Sequence, residues 1–235
     1  MPEISKTADQ TLAVLECVAE HGPLNPTEIA RRLKMHRPAV HRSLETLHRR
    51  GYVRRTAEGY LPGVAVLKVA QKVEPALLSQ ARPLLAKLAK THRETFILTI
   101  LDGAEAVLVD QAVGGHHFVR IQFTPGFRHS LAQGASGRAI LAFLDPAEVT
   151  EILLARKEPK SLELELLQVR RTGVAVSHNE LSSDVFGVSA PVMRRGNVVA
   201  SLGVVLPTAR AGDTAALTRG VKAAAAALSR KMQPG

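Results

Sequence analysis

The sequence predicts an α+β protein: a winged helix-turn-helix, a linker helix, and a second domain of helices on a largely antiparallel sheet. Three observations carry this reading. Short helical repeats end in a basic helix and a hairpin within residues 1–63, a helical stretch covers 64–79, and strands mix with helices across 80–235. The chain has 235 residues, which at about 150 per domain makes one large or two modest domains the expectation. Hydrophobic residues at 46% and charged ones at 22% supply a core and argue against disorder. With aromatics at 3% and no Trp, that core is made mostly of Ala, Val, Leu and Ile.

In the N-terminal third, Leu12, Leu15, Val18 and Ala19 recur at helical spacing, and His21-Gly22-Pro23 stops the helix. Asn25-Pro26-Thr27-Glu28 reads as a helix start, with an Asn cap, Pro in the first helical position and Glu three residues after the cap. Ile29, Ala30 and Leu33 make one apolar side of this short second helix. A third helix opens near His36-Arg37-Pro38 and runs to about Arg50. Val40, Leu44 and Leu47 form its buried stripe, and Gly51 closes it. Tyr52 to Arg55 reads as a strand, Glu58-Gly59 as a turn and Tyr60-Leu61 as the returning strand, with Pro62-Gly63 ending the unit.

From Val64 to Lys90 the pattern is helical and is expected to break at Pro75 and Pro83. Thr95–Leu101, the turn Asp102-Gly103 and Ala106–Asp110 predict a hairpin, and Phe118–Phe123 alternates as a third strand. Helices follow at Ser136–Leu144, from Asp145-Pro146-Ala147-Glu148 to Leu154, and at Leu162–Arg171. Strands recur at Val174–Val176, Val185–Val192 and Val198–Leu206, before an Ala-rich helix over Thr214–Lys231. No repeat with a period of 20–50 residues is visible.

Several function classes drop out. Glu3, Lys6 and Asp9 near the start do not fit a secretory leader, and the uncharged stretch Gly196–Ala209 is too short for a membrane helix. A soluble cytoplasmic protein without membrane contact is expected. The single cysteine, Cys17, cannot form an internal disulfide or a thiolate zinc site, and reads as a small buried hydrophobe. Gly134-Ala-Ser136-Gly137 lacks the spacing of a nucleophile elbow, and no phosphate-binding glycine loop is present. His116-His117 is a poor chelate, because neighbours on an extended chain point apart. No cofactor, no metal and no catalytic residue is expected.

Charge is more informative. The chain carries a formal +10, and residues 21–55 hold nine basic side chains against Glu28 and Glu45, a net +7. A local basic block on a nearly neutral chain points to a polyanion, although charge alone also fits a solvated helical face. The helical context favours duplex DNA. A helix fits the major groove, and residues near its N-terminus reach base edges. Here these are His36, Arg37, Pro38, Ala39, His41 and Arg42, with Val40 facing the core. Arg37 and Arg42 suit either guanine edges or phosphates. Thr27 and Arg31 on the preceding helix, with Arg54 and Arg55 in the wing, suit phosphate contacts that set register. A wing-and-helix module that binds protein is the alternative.

Asn25-Pro-Thr-Glu-Ile-Ala-Arg-Arg-Leu33, Arg37-Pro-Ala-Val-His-Arg-Ser-Leu-Glu-Thr-Leu47 and Arg50-Gly-Tyr-Val53 resemble the IclR family of bacterial transcription regulators. Leu98-Thr-Ile-Leu-Asp-Gly103, Ala132 to Leu141, Arg171 to Glu180 and Val188-Ser-Ala-Pro-Val192 follow in that family's order, so the likeness runs from Ser5 to Arg210. Each motif is weak alone; the ordered set is specific. The resemblance implies a winged helix-turn-helix joined to a GAF-like effector domain, dimers that often pair into tetramers, palindromic operators, and control by a small metabolite. By position, it places the effector among Phe123, Leu131, Gly134, Ala135, Ser136, Ser177, His178, Phe186, Gly187, Ser189, Gly203 and Val205. The start of a helix at Gly134–Ser136 also suits an anion on physical grounds, since its backbone N–H groups are free.

Two departures bear on specificity. Gly203-Val-Val205-Leu is apolar where members taking small keto acids tend to place hydroxyls, which favours a roomier pocket for an aromatic acid or a derivative. Arg37-Pro38-Ala39 stands where Lys-Ser-Thr is frequent, which removes two hydroxyls from the operator-reading helix. A ligand-responsive regulator, more often a repressor by family habit, is therefore expected. The rival is a metabolite-binding enzyme domain whose winged helix serves oligomerisation; it would need a base for Ser136. RNA binding is disfavoured by the scarcity of aromatics for base stacking.

Overall fold

The structure is a computed structural model that describes residues 3–115, 117–156, 159–212 and 214–233. The chain divides into two compact units, Met1–Pro75 and Ala76–Gly235.

The first unit is built from α1 (Lys6–His21), α2 (Pro26–Leu33), α3 (Arg37–Arg49), the hairpin β1 (Val53–Arg55) and β2 (Tyr60–Pro62), and α4 (Ala65–Ala70). Asn25 caps α2: its side chain accepts from the N–H groups of Thr27 and Glu28, each at 3.0 Å, and the Glu28 carboxylate accepts from the Asn25 N–H at 2.9 Å. Pro26 costs nothing in the first turn, where its missing N–H would have no partner. Lys34 takes a left-handed conformation, and the Met35 N–H returns to the Ala30 carbonyl, so the chain turns sharply into α3. Val14, Cys17 and Val18 meet Leu24, Ile29, Val40, Leu44, Leu47 and Val53 in one core. The α1 stripe thus differs from the expected one: Leu12 and Ala19 are exposed, and Val14 and Cys17 are buried instead. Burial also pushes the Cys17 thiol above its ordinary pKa, with Arg32 opposing and Glu20 assisting. An uncharged, buried Cys17 therefore behaves as the hydrophobe the sequence suggested. In the wing, Arg55 opposes Tyr60, and the Thr56 hydroxyl closes the turn on the Gly59 carbonyl at 2.9 Å.

The second unit contains α5 (Pro75–His92), β3 (Thr95–Asp102), β4 (Glu105–Ala112), β5 (Arg128–Ser130), α6 (Gly134–Leu141), α7 (Pro146–Arg156), α8 (Ser161–Thr172), β6 (Ala175–His178), β7 (Val185–Arg194), β8 (Asn197–Pro207), a short 3-10 turn at Thr208–Arg210, and α9 (Ala215–Lys231). The strands form one antiparallel sheet in the order β5-β4-β3-β8-β7-β6. Side-chain alternation sorts its faces. Phe96, Leu98, Phe186, Val188, Ala190, Leu202 and Val204 pack on α5 and α9. On the other face α6 lies over β7 and β8, backed by α7 and α8 through Ile140, Leu141, Leu153, Leu162, Leu166 and Val169.

Two expectations are corrected. Pro83 does not break α5, which runs from Pro75 to His92. Its ring lies on the exposed side while Ala81, Leu85 and Ala89 are buried, so the carbonyl deprived of its helical partner faces water. Residues 118–123 form no strand, and the strand of this region is β5, at Arg128–Ser130. The alternating segment bonds to a side chain rather than to a strand edge: Gln111 exchanges hydrogen bonds with the backbone of Phe123. The stretch 64–79 holds α4, a turn and the first residues of α5.

Asn25→Ala removes the side-chain oxygen that accepts from the Thr27 and Glu28 N–H groups, and leaves the backbone N–H that donates to Glu28. It is expected to cost about 1 kcal/mol, read as a lower urea midpoint at an unchanged slope; an unmoved midpoint would show that the cap contributes nothing.

Candidate functional site

The basic residues of the first unit lie on α2, α3 and the wing, and the start of α3 carries Arg37 and Arg42. His36 is its N-cap and makes no side-chain capping bond, and the first turn carries no acid. Pro38 has no N–H and the Ala39 N–H bonds the His36 carbonyl, so what this end of the helix offers an anion is its positive dipole end, with no acid beside it. His36, Arg37, Pro38, His41 and Arg42 are exposed there, Ala39 is half-buried, and Val40 is fully buried, as expected. Thr27 and Arg31 are exposed on α2, and Arg54 and Arg55 on β1. Among the described residues, none of Arg31, Arg37, Arg42, Arg54 and Arg55 enters an ion pair. Their charge is not neutralised within the fold, as phosphate binding requires.

In the second unit, the α6 face of the sheet encloses a cavity of about 10 Å³ lined by Ile97, Ala135, Ser136, Ser177, Leu181, Val185, Gly187, Ser189 and Val205. It is the place where small polar side chains from α6, β6 and β7 meet under an apolar wall. Six of the twelve expected effector residues line it: Ala135, Ser136, Ser177, Gly187, Ser189 and Val205. Gly134 stands beside it with φ +71, and a Cβ there would come within 2.9 Å of Leu181. Gly203 lies under Ser189, where a Cβ would meet the serine Oγ at 2.0 Å. Phe123 stacks on Phe127 at 4.9 Å and packs on Ile97, Leu108, Val185 and Val205, continuing the apolar wall. The other three lie elsewhere. Leu131 belongs to the core behind α6. Alternation turns Phe186 to the α5 and α9 side, where His178 meets its ring edge-on at 4.7 Å.

Sequence reasoning missed Ile97 and Val185, although strand alternation marks both. It also missed Leu181, Arg138, Glu180 and His129, whose roles depend on long-range packing. The Gly134 N–H donates to Glu180 Oε2 at 2.9 Å, and the Arg138 guanidinium donates to the other oxygen of that carboxylate. Arg138 also reaches the Val176 carbonyl at 2.9 Å and Glu165 at 3.2 Å, so this buried cation is fully engaged. The Ser201 hydroxyl donates to the Ser136 carbonyl at 3.0 Å and ties β8 to α6.

Ser136 does have a histidine. Its Oγ lies 3.1 Å from His129 Nε2, and His129 Nδ1 lies 2.9 Å from the Ser130 carbonyl. The pair is buried, with Ser136 at 3% and His129 at 8% exposure, beside a cavity too small for a substrate. Burial lowers the His129 pKa, outweighing the carbonyls of Ser130 and Gln133 and the charge of Glu105, which act the other way. His116 lies outside the described residues, and among those described no cluster of three metal-ligating side chains occurs. No helix is long and apolar enough to cross a membrane.

A winged helix-turn-helix with an unpaired basic helix, followed by a separate α+β unit, defines a DNA-binding regulator with an effector-binding domain. Residues 7–57 match the IclR helix-turn-helix domain, and residues 70–230 match the bacterial transcriptional regulator IclR C-terminal domain. The chain belongs to the IclR family of transcriptional regulators. It is 30% identical to the HTH-type transcriptional regulator BhcR of Paracoccus denitrificans, over 97% of this chain and 88% of that one. The crystal structure of Pseudomonas aeruginosa HmgR superposes with a TM-score of 0.81 at 26% identity, covering 98% of this chain and 100% of that chain. An IclR homologue from Microbacterium hydrocarbonoxydans, solved with 4-hydroxybenzoate, has the same fold, with a TM-score of 0.84 at 20% identity over 97% and 99% of the two chains. The relatives are transcriptional regulators, not enzymes.

The neutral, buried His129 has a consequence for stability. The unfolded chain takes up its proton near the ordinary imidazole value of about 6.5, before the folded chain does. Stability therefore falls as pH drops through that value. His129→Phe is expected to remove this part of the acid destabilisation, so that the gap in melting temperature between variant and wild type changes between about pH 5 and 8. A gap constant across that range would contradict the assignment.

Proposed function

We propose that this protein is a ligand-responsive transcriptional regulator, a repressor by preference, that binds a palindromic operator as a dimer or a tetramer of two dimers and is released or engaged by a small organic acid. The observation that carries the DNA half is the exposed, unpaired basic start of α3, with Arg31 behind it and Arg54 and Arg55 in the wing. Arg37, Arg42 and His41 meet base edges or the phosphates beside them, and Thr27, Arg31, Arg54 and Arg55 set register. Support for self-association comes from α4, which buries none of its residues and exposes Leu67 and Val69, with Val64 just before it and Val73 just after it exposed as well. A short helix with no buried face gains stability by packing on a second copy.

The effector half rests on the cavity against α6. At about 10 Å³ it has room for one water at most, so a ligand needs Leu181 and the Phe123–Phe127 stack to give way. The Ala135 and Ser136 N–H groups at the start of α6 and the hydroxyls of Ser177 and Ser189 supply donors, while Ile97, Val185, Val205 and Phe123 supply apolar walls. This mixture fits a flat carboxylic acid, and the 4-hydroxybenzoate complex of a protein with the same fold supports an aromatic one. Coupling follows if the ligand favours one arrangement of the two DNA-binding units over another.

The DNA half is tested by selecting random duplexes on purified protein at two salt concentrations, then measuring variants on the enriched site. Arg37→Ala and Arg42→Ala are each expected to weaken specific binding by about 1–3 kcal/mol, with the second unit still folded by near-ultraviolet dichroism. Undiminished affinity in both would remove α3 as the reading element. For the effector, calorimetry is expected to show benzoate-type acids binding more tightly than small keto acids. The reverse order would refute the aromatic preference.

A further inference from the structure

The pair formed by His129 and Ser136 is not used by the reading above, and its geometry constrains the ligand. His129 Nδ1 sits 2.9 Å from the Ser130 carbonyl, an oxygen that can only accept. On the strength of that short bond the hydrogen of a neutral ring is assigned to Nδ1, ahead of the Gln133 carbonyl that also acts on the ring, which leaves Nε2 its lone pair. Ser136 Oγ, 3.1 Å away, must then donate to Nε2. A hydroxyl has one proton, so what Ser136 has left for a ligand is acceptor capacity alone. Ser177 and Ser189 line the same cavity and have no histidine against their hydroxyls. They can turn a proton to an anion.

We propose that His129 sets the hydrogen-bond polarity of the cavity through the Ser136 hydroxyl, so that the effector meets that oxygen with a hydroxyl or N–H donor and turns its carboxylate to other donors. The ligand class narrows from an organic acid to one bearing a donor: a hydroxy or amino acid derivative. His129 is a positioning residue here, acting through Ser136, and the inference rests on the cavity being the effector site. Protonation of His129 reverses the arrangement. Nε2–H then donates to Ser136, whose own proton is freed for an anion. The groups around the ring are few. Glu105 on β4 acts on it while held by Arg128, which also binds Asp102. From α6 and its approach come the Ser136 hydroxyl and the Gln133 carbonyl, and Arg138 further along is taken up by Glu165 and Glu180. The Phe127 ring, 5.9 Å away, carries no charge.

The test uses the full chain. Nitrogen-15 shifts of His129 report its tautomer directly: Nδ1–H is expected at neutral pH, and an Nε2–H ring would overturn the proposal whatever binds. Calorimetry with benzoate and 4-hydroxybenzoate, which differ by one hydroxyl, is expected to favour the hydroxylated acid by about tenfold or more in the wild type. That preference should shrink as pH falls. His129→Phe, which keeps a ring against Phe127 but has no acceptor, should bring the ratio towards one, and His129→Gln, whose amide oxygen can accept from Ser136, should retain it. A ratio unmoved in His129→Phe would overturn the inference. Gly187→Ala separates this from failure of the site itself, because its Cβ would fall 2.8 Å from Ser177 Oγ and 3.5 Å from the Ala135 Cβ. If it weakens both probes while His129→Phe changes nothing, the cavity is the effector site and only the polarity is wrong. If it leaves both probes untouched, they bind elsewhere and both readings fall. Should neither probe bind, the tautomer alone decides.

Discussion

The second unit depends on how closely α6 approaches the sheet. Gly187, Ser189, Ser201 and Gly203 lie beneath it on β7 and β8, and side chains this small leave room for a helix near the strand backbones. The clearances are tight: a Cβ on Gly137 would come within 2.8 Å of the Ser130 and Leu131 carbonyls, and one on Gly203 within 2.8 Å of the Val188 carbonyl. Larger residues would lift the helix, separate Ser136 from both His129 and Ser201, and turn the closed cavity into an open cleft. A polar cavity in an otherwise apolar layer is thus a product of small residues placed in register on neighbouring strands, where Ser189 opposes Gly203.

A helix held that close needs its first N–H engaged, and the fold does so with charge. Glu180 caps Gly134 with one carboxylate oxygen and receives Arg138 on the other. The interaction ties the connection between β6 and β7, including Leu181 in the cavity wall, to the helix it covers. Buried ion pairs of this kind contribute little net stability against a hydrophobic replacement, but losing one partner strands the other. Their value lies in fixing a geometry. The same carboxylate shows that the start of α6 can hold an anion.

The first unit uses charge in the opposite way. There Arg31, Arg37, Arg42, Arg54 and Arg55 form no ion pair among the described residues, and the fold carries the mutual repulsion of a net +7 over residues 21–55. Its small core of aliphatic side chains, closed by the Asn25 cap and the wing, holds α3 against that cost. Paired charge positions a helix in one unit, and unpaired charge awaits a partner in the other.

How much of this was legible in the sequence follows from the range of each interaction. Capping at Asn25, the buried stripe of α3, the wing turn and the strands of the hairpin are local, set by residues three or four apart or alternating, and the sequence by itself determined them. It also determined the basic block, because formal charge needs no fold. Pro83 within α5 and the absence of a strand at 118–123 were decided by tertiary structure: solvent exposure excused the proline, and the Gln111 side chain replaced a neighbouring strand. The candidate cavity divides in the same manner. Ala135, Ser136, Gly187 and Val205 were readable from motif order and position. His129, Glu180 and Arg138 were not, because their partners are 7 to 46 residues away in the chain, and only the packing of α6 on the sheet brings a histidine nitrogen to a serine hydroxyl.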